Sequence, residues 1–158
     1  MSDKSENTNL FLEENPLRNA AEQNASFVIR FEHINTSNMK IGGNSDETFG
    51  DALSRYMSDR NVTISELARL TGISEVTIKR YRGKCYHDVV VEYVVAICVS
   101  LNLYIEQSLH LLRLAGKALN NSEKHRLFYF FLCICFNSSF TIKDCNLILE
   151  ENGYGQLI

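Results

Sequence analysis

The residues whose chemistry stands out lie between Glu75 and Lys84. Lys79, Arg80, Arg82 and Lys84 stand there against Glu75 alone. Guanidinium and ammonium groups packed this closely suit an anionic partner, because they neutralise phosphates and an arginine can read a guanine edge bidentately. The whole chain does not advertise this. Its formal net charge is −3 over 158 residues. The deficit sits at the front: residues 1–46 carry four Lys/Arg against seven Asp/Glu, and from Glu47 onward the count is twelve against twelve.

Other reactive residue types are present but do not converge. Cys85-Tyr86-His87 has metal-ligating types without the paired spacing that zinc uses. Cys133-Ile134-Cys135 falls inside an apolar run, where alternate residues of a helix point apart, so free buried thiols are expected there. His33, His87, His110 and His125 occur in unrelated contexts, and no glycine-rich phosphate loop is found. The sequence therefore predicts no catalytic residues, no metal and no cofactor. Five cysteines, an odd number, and a polar Met1–Asn24 without an apolar core point to a reduced, cytoplasmic chain. The longest apolar run, Leu127–Phe136, is far shorter than the roughly 20 residues that span a bilayer, so no membrane is expected.

The basic cluster needs elements to hold it. One proline and few glycines exclude a turn-rich β-sandwich. Met1–Ala25 reads as weakly ordered, Ser26–Ile34 as a short strand or a helix, and the Gly42-Gly43 stretch up to Asp46 as a linker. From Glu47 the chain reads as helical throughout. The first helix is expected over about 47–59. Thr63-Ile-Ser-Glu66 reads as a capping box opening a second helix from Ile64, which Gly72 stops. Ser74 caps a third helix from Glu75, closed by Gly83; Asp88 caps a fourth, Val89–Leu101. A fifth covers Tyr104–Ala115, stopped by Gly116; a sixth is Glu123–Phe136; a seventh opens at Thr141 and ends near Gly153. The last two would form a hairpin.

Thr63 to Arg82 meets the demands of two helices crossing over a short turn. Ala68 supplies a small residue where they touch, and Gly72 supplies a permissive turn. Leu67, Ile73, Ile78 and Tyr81 supply an apolar inner face, which leaves Glu75, Thr77, Lys79 and Arg80 outward.

With Leu67-Ala68, Gly72, Ser74 and Ile78 in these positions, the segment resembles the lambda-repressor/Cro-like (XRE) helix-turn-helix family. The resemblance implies an all-α fold: a five-helix repressor-like domain over 47–116, a C-terminal helical hairpin over 117–158 as in some small bacterial regulators, and a weakly ordered segment 1–46. Two positions depart from the family's habit. Ile64 stands where a phosphate-binding Gln is common, and Lys84–Asp88 lacks the usual proline. The resemblance further implies a regulator of transcription that binds double-stranded DNA as a homodimer with the third helix in the major groove. Base contacts would then come from Glu75, Val76, Thr77 and Arg80, and phosphate contacts from Thr63, Ser74, Lys79, Arg82 and Lys84. A second reading is a protein-interaction adaptor on the same scaffold. Ile64, Glu75 and the neutral balance of the domain favour it. The aromatic stripe Phe128–Phe131, with Phe136 and Phe140, reads at helical spacing as core or as a face through which the C-terminal hairpin meets a protein partner or a second copy.

Overall fold

Hydroxyl caps begin most of the helices. The computed structural model describes residues 46–83, 88–137 and 139–158. The segment 1–45, with its strand-or-helix stretch Ser26–Ile34, lies outside the described residues, as do Lys84, Cys85 and His87. Helix α1, Phe49–Asp59, starts at Thr48, whose Oγ1 accepts the Asp51 amide while the Asp51 carboxylate accepts the Thr48 amide, both at 3.2 Å. Helix α2, Ile64–Thr71, starts at Thr63, whose hydroxyl accepts the Glu66 amide at 3.1 Å. The Glu66 carboxylate lies 3.6 Å from Arg69. Gly72 ends α2 in the left-handed region, at φ 82°. Helix α3, Glu75–Tyr81, is capped by Ser74.

Helix α4, Val91–Ser100, corrects the expected start. Asp88 does not cap it, and the helix opens two residues later than Val89, at a cap residue Val90 with extended backbone and no side-chain cap bond. Val89 is buried at 1% exposure. Two β-branched residues favour extended backbone, and sinking Val89 into the core fixes it there. Within α4 the valines are helical all the same, because Val94 through Val99 are all buried. Burial on every side overrides their strand preference.

Helix α5 is Ile105–Leu114, with Gly116 at φ 66° beyond it. Helix α6, Glu123–Ile134, is capped by Ser122 and tightens into a 3-10 turn at Cys135–Asn137. It thus stops as an α-helix two residues before the expected Phe136. Helix α7, Ile142–Glu151, opens at Thr141, whose amide and hydroxyl both donate to Asp144 at 2.7 Å. Seven α-helices and no strand are found among the described residues, an all-α fold.

The central element is α4, which α2, α5, α6 and α7 all touch. Helix α1 packs on α3 and α5. Phe128 and Phe131, with ring centroids 6.4 Å apart, are fully buried, so most of the aromatic stripe is core and Phe136 is its exposed member. The chain after α7 turns back: the Leu157 amide donates to Asn146 Oδ1 at 2.7 Å and Leu157 is buried. Ile158 then reaches the turn between α2 and α3, where its Cγ2 lies 3.3 Å from the position a Cβ on Gly72 would take. Gly72→Ala would combine that approach with an L-residue in the left-handed region. Urea unfolding should show a loss of about 1–2 kcal/mol; an unchanged midpoint would mean that the turn has another conformation.

A second polar tie holds the front of α1. Glu47 Oε1 accepts from Arg55 Nε and Nη2 at 3.1 and 2.9 Å, and Glu47 Oε2 lies 2.9 Å from His110 Nε2. Arg113 Nη2 donates to His110 Nδ1 at 3.0 Å.

Candidate nucleic-acid interface

The inner faces of α2 and α3 form before any surface chemistry is available. Leu67 and Ile78 are fully buried, Ile73 and Tyr81 nearly so, and Ala68 is half-buried. The Tyr81 ring meets Phe49 of α1 edge-on at 6.2 Å and Tyr93 of α4 at 6.3 Å, which braces the end of α3 from two sides. Thr71 completes the turn. Its buried hydroxyl donates to the Leu67 carbonyl at 2.7 Å and accepts the Ile73 amide at 3.1 Å. That satisfies a buried amide at the point where the helical ladder stops.

With this face buried, α3 turns its other side to solvent. Val76 is 67% exposed, the most open of the large apolar side chains among the described residues. Arg80 and Lys79 are exposed, and Glu75 and Thr77 are half-buried. Lys79 Nζ lies 3.4 Å from Glu75, a solvent pair worth a few tenths of a kcal/mol at most. Ser74 Oγ accepts the Thr77 amide at 3.2 Å and lies 2.9 Å from Thr77 Oγ1, so each hydroxyl already serves the start of α3. Thr63 is exposed at the start of α2, and beside it Ile64 is half-buried. Arg82 caps the end of α3 and its Nε donates to Ser54 Oγ of α1 at 2.9 Å. Thr63, Ser74, Glu75, Val76, Thr77, Lys79, Arg80 and Arg82 therefore sit on two adjacent helices and their caps, while Lys84 lies outside the described residues.

Residues 52–109 match the family model of the Cro/C1-type HTH DNA-binding domain. This stretch is a Cro/C1-type helix-turn-helix domain. The match opens in α1 and closes in α5, so the Cro/C1-type domain contains α2, α3 and α4 whole, while α6 and α7 lie beyond it. No significant match to the chain is found among curated proteins or solved structures.

Three residues that support the Cro/C1-type domain escape a reading of the sequence. Thr71 is one; its position just before the turn glycine was the available signal. Gly50 and Ser54 are the others. A Cβ on Gly50 would stand 2.6 Å from the Arg82 carbonyl oxygen. A glycine kept inside an amphipathic helix often marks such an approach.

Among the described residues the remaining reactive groups offer no competing site. Burial pushes the thiols of Cys98, Cys135 and Cys145 up to about 12 and that of Cys133 up to about 11, so they stay protonated near neutrality. Among the described residues no group of three His, Cys, Asp or Glu could hold a metal, and no helix is long and apolar enough to cross a membrane.

Proposed function

We propose that the protein is a transcriptional regulator that binds specific double-stranded DNA with α3 in the major groove. The observation that carries this reading is Val76, a β-branched apolar side chain held 67% exposed at the front of α3, one turn from Arg80. On a solvated helix face Val76 gains nothing from that position. In a major groove it can meet a thymine methyl while Arg80 bonds a guanine. Glu75 and Thr77 flank them as further base contacts. Thr63, Ser74, Lys79, Arg82 and Lys84 are assigned to phosphates. Because the Ser74 and Thr77 hydroxyls are tied to each other, their contribution would come with a rearrangement of that pair or through backbone amides.

In this reading residues 47–116 read DNA, residues 117–158 join two copies, and 1–46 is an appendage. A dimer would occupy two half-sites about 34 Å apart. The adaptor reading keeps one observation in its favour. Tyr104 and Phe136 are 51% and 44% exposed with ring centroids 5.1 Å apart, an aromatic pair open to a protein partner at the end of the hairpin's first helix.

Selection from a random duplex library separates the two. The regulator predicts enrichment of a short two-fold-symmetric site. Arg80→Ala should weaken that site by about 1–3 kcal/mol and relax the preference at one base pair. Affinity should fall with salt at a log-log slope of about −0.9 per phosphate neutralised. If no sequence is enriched and affinity barely depends on salt, the adaptor takes its place.

A further inference from the structure

The contact between α1 and the end of α3 has a consequence for how DNA would be held. Gly50 and Ser54 are four residues apart and share one face of α1. The Arg82 peptide lies directly on that face: a Cβ on Gly50 would stand 2.6 Å from Arg82 O, 2.7 Å from Arg82 C and 3.0 Å from Tyr81 O. Four residues along, Ser54 Oγ accepts from Arg82 Nε at 2.9 Å. The Arg82 amide donates to Ile78 O at 3.1 Å. The Arg82 backbone thus closes α3 and packs against α1 at Gly50, and its side chain hydrogen-bonds to α1 at Ser54.

The chemistry of this fixation is selective. Only Nε is committed to Ser54, so the two Nη groups keep four N–H donors in a plane that the Nε bond orients. Among the described residues no carboxylate pairs with Arg82, in contrast to Lys79 with Glu75. Arg82 is exposed. A guanidinium held in place but not neutralised matches the paired oxygens of a phosphodiester, and it loses less rotamer freedom on binding than a free side chain does.

We propose that Ser54 is a positioning residue: with Gly50 it makes α1 a platform that presents Arg82 to a backbone phosphate of duplex DNA. This rests on the DNA-binding reading above and names the phosphate ligand and the device that orients it.

The test is a double-mutant cycle on the full chain with the selected duplex over a salt series. Arg82→Ala should weaken binding about tenfold and reduce the salt slope by about 0.9. Ser54→Ala should weaken it about threefold with the slope unchanged. Combined, they should equal Arg82→Ala alone. Arg82→Lys keeps the charge without the fork; it should hold the slope and be insensitive to Ser54→Ala. In the protein without DNA, the Arg82 Nε–H should exchange slowly by NMR and lose that protection in Ser54→Ala. Additive losses would overturn the proposal, as would an Nε–H that exchanges equally fast with and without Ser54. If the unmodified chain binds duplex but Arg82→Ala changes neither affinity nor slope, Arg82 is only a strut; this proposal fails and the DNA-binding reading stands. If the unmodified chain binds no duplex at all, both fail, even where the NMR protection is found.

Discussion

Gly50→Val is expected to destabilise the protein by about 3 kcal/mol or more, and Gly50→Ala by about 1–2 kcal/mol. Propensity alone gives the opposite sign, since Gly→Ala inside a helix gains roughly 1 kcal/mol. The steric contact decides it. At Gly50 the new Cβ would stand 2.6 Å from a backbone carbonyl oxygen, and neither α1 nor the Arg82 peptide can rotate away as a side-chain tip could. Either α1 or the end of α3 must shift, and Phe49 and Tyr81 pack at the same junction. Urea unfolding of both variants measures the effect. Gly155→Ala serves as the neutral control, because a Cβ there meets nothing within 4 Å. A rise in stability for Gly50→Ala would show that α1 and Arg82 are not in contact in solution.

That junction also shows where the sequence stops being informative. Thr63, Ser74 and Ser122 announce helix starts through their own side-chain chemistry, and Gly72, Gly116 and Gly153 announce ends through positive φ. Such signals are local, so the order and bounds of the helices are readable to within a residue or two. The failure at Asp88 came from a competing signal of longer range: Asp88 is a fair cap, but burying Val89 holds the chain extended past it. At the surface, residue types were legible and pairings were not. Lys79, Arg80 and Arg82 look alike in sequence, yet Lys79 faces Glu75 and Arg82 is bound to Ser54, 28 residues earlier. No periodicity reports a contact of that span. Gly50 was readable in principle, as a glycine inside an otherwise amphipathic helix.

The link from Glu47 to His110 spans 63 residues and has the largest expected effect of any polar contact here. Arg113 can only donate, so His110 Nδ1 accepts from it, and the ring proton sits on Nε2, facing the Glu47 carboxylate. His110 is 3% exposed. Glu47→Ala would strand this buried N–H and release Arg55, a loss of about 2–4 kcal/mol. Glu47→Gln retains an acceptor and should lose less, while changing the pH response. Burial raises the Glu47 carboxyl, but the hydrogen bonds from His110 and Arg55 outweigh it and hold the group below its ordinary value of 4.5. A carboxyl depressed in the folded state stabilises fully above its unfolded value, and that contribution is lost as pH falls through the ordinary carboxylate range toward the folded value. Stability measured from about pH 6 to pH 3 should therefore fall less steeply in Glu47→Gln than in the unmodified protein. Glu92, held down by Lys124 against its own burial, should supply part of the slope that remains. An identical slope in the variant would mean that Glu47 is not engaged. The expected difference would establish that the start of α1, which carries the Arg82 platform, is anchored through α5 by one carboxylate.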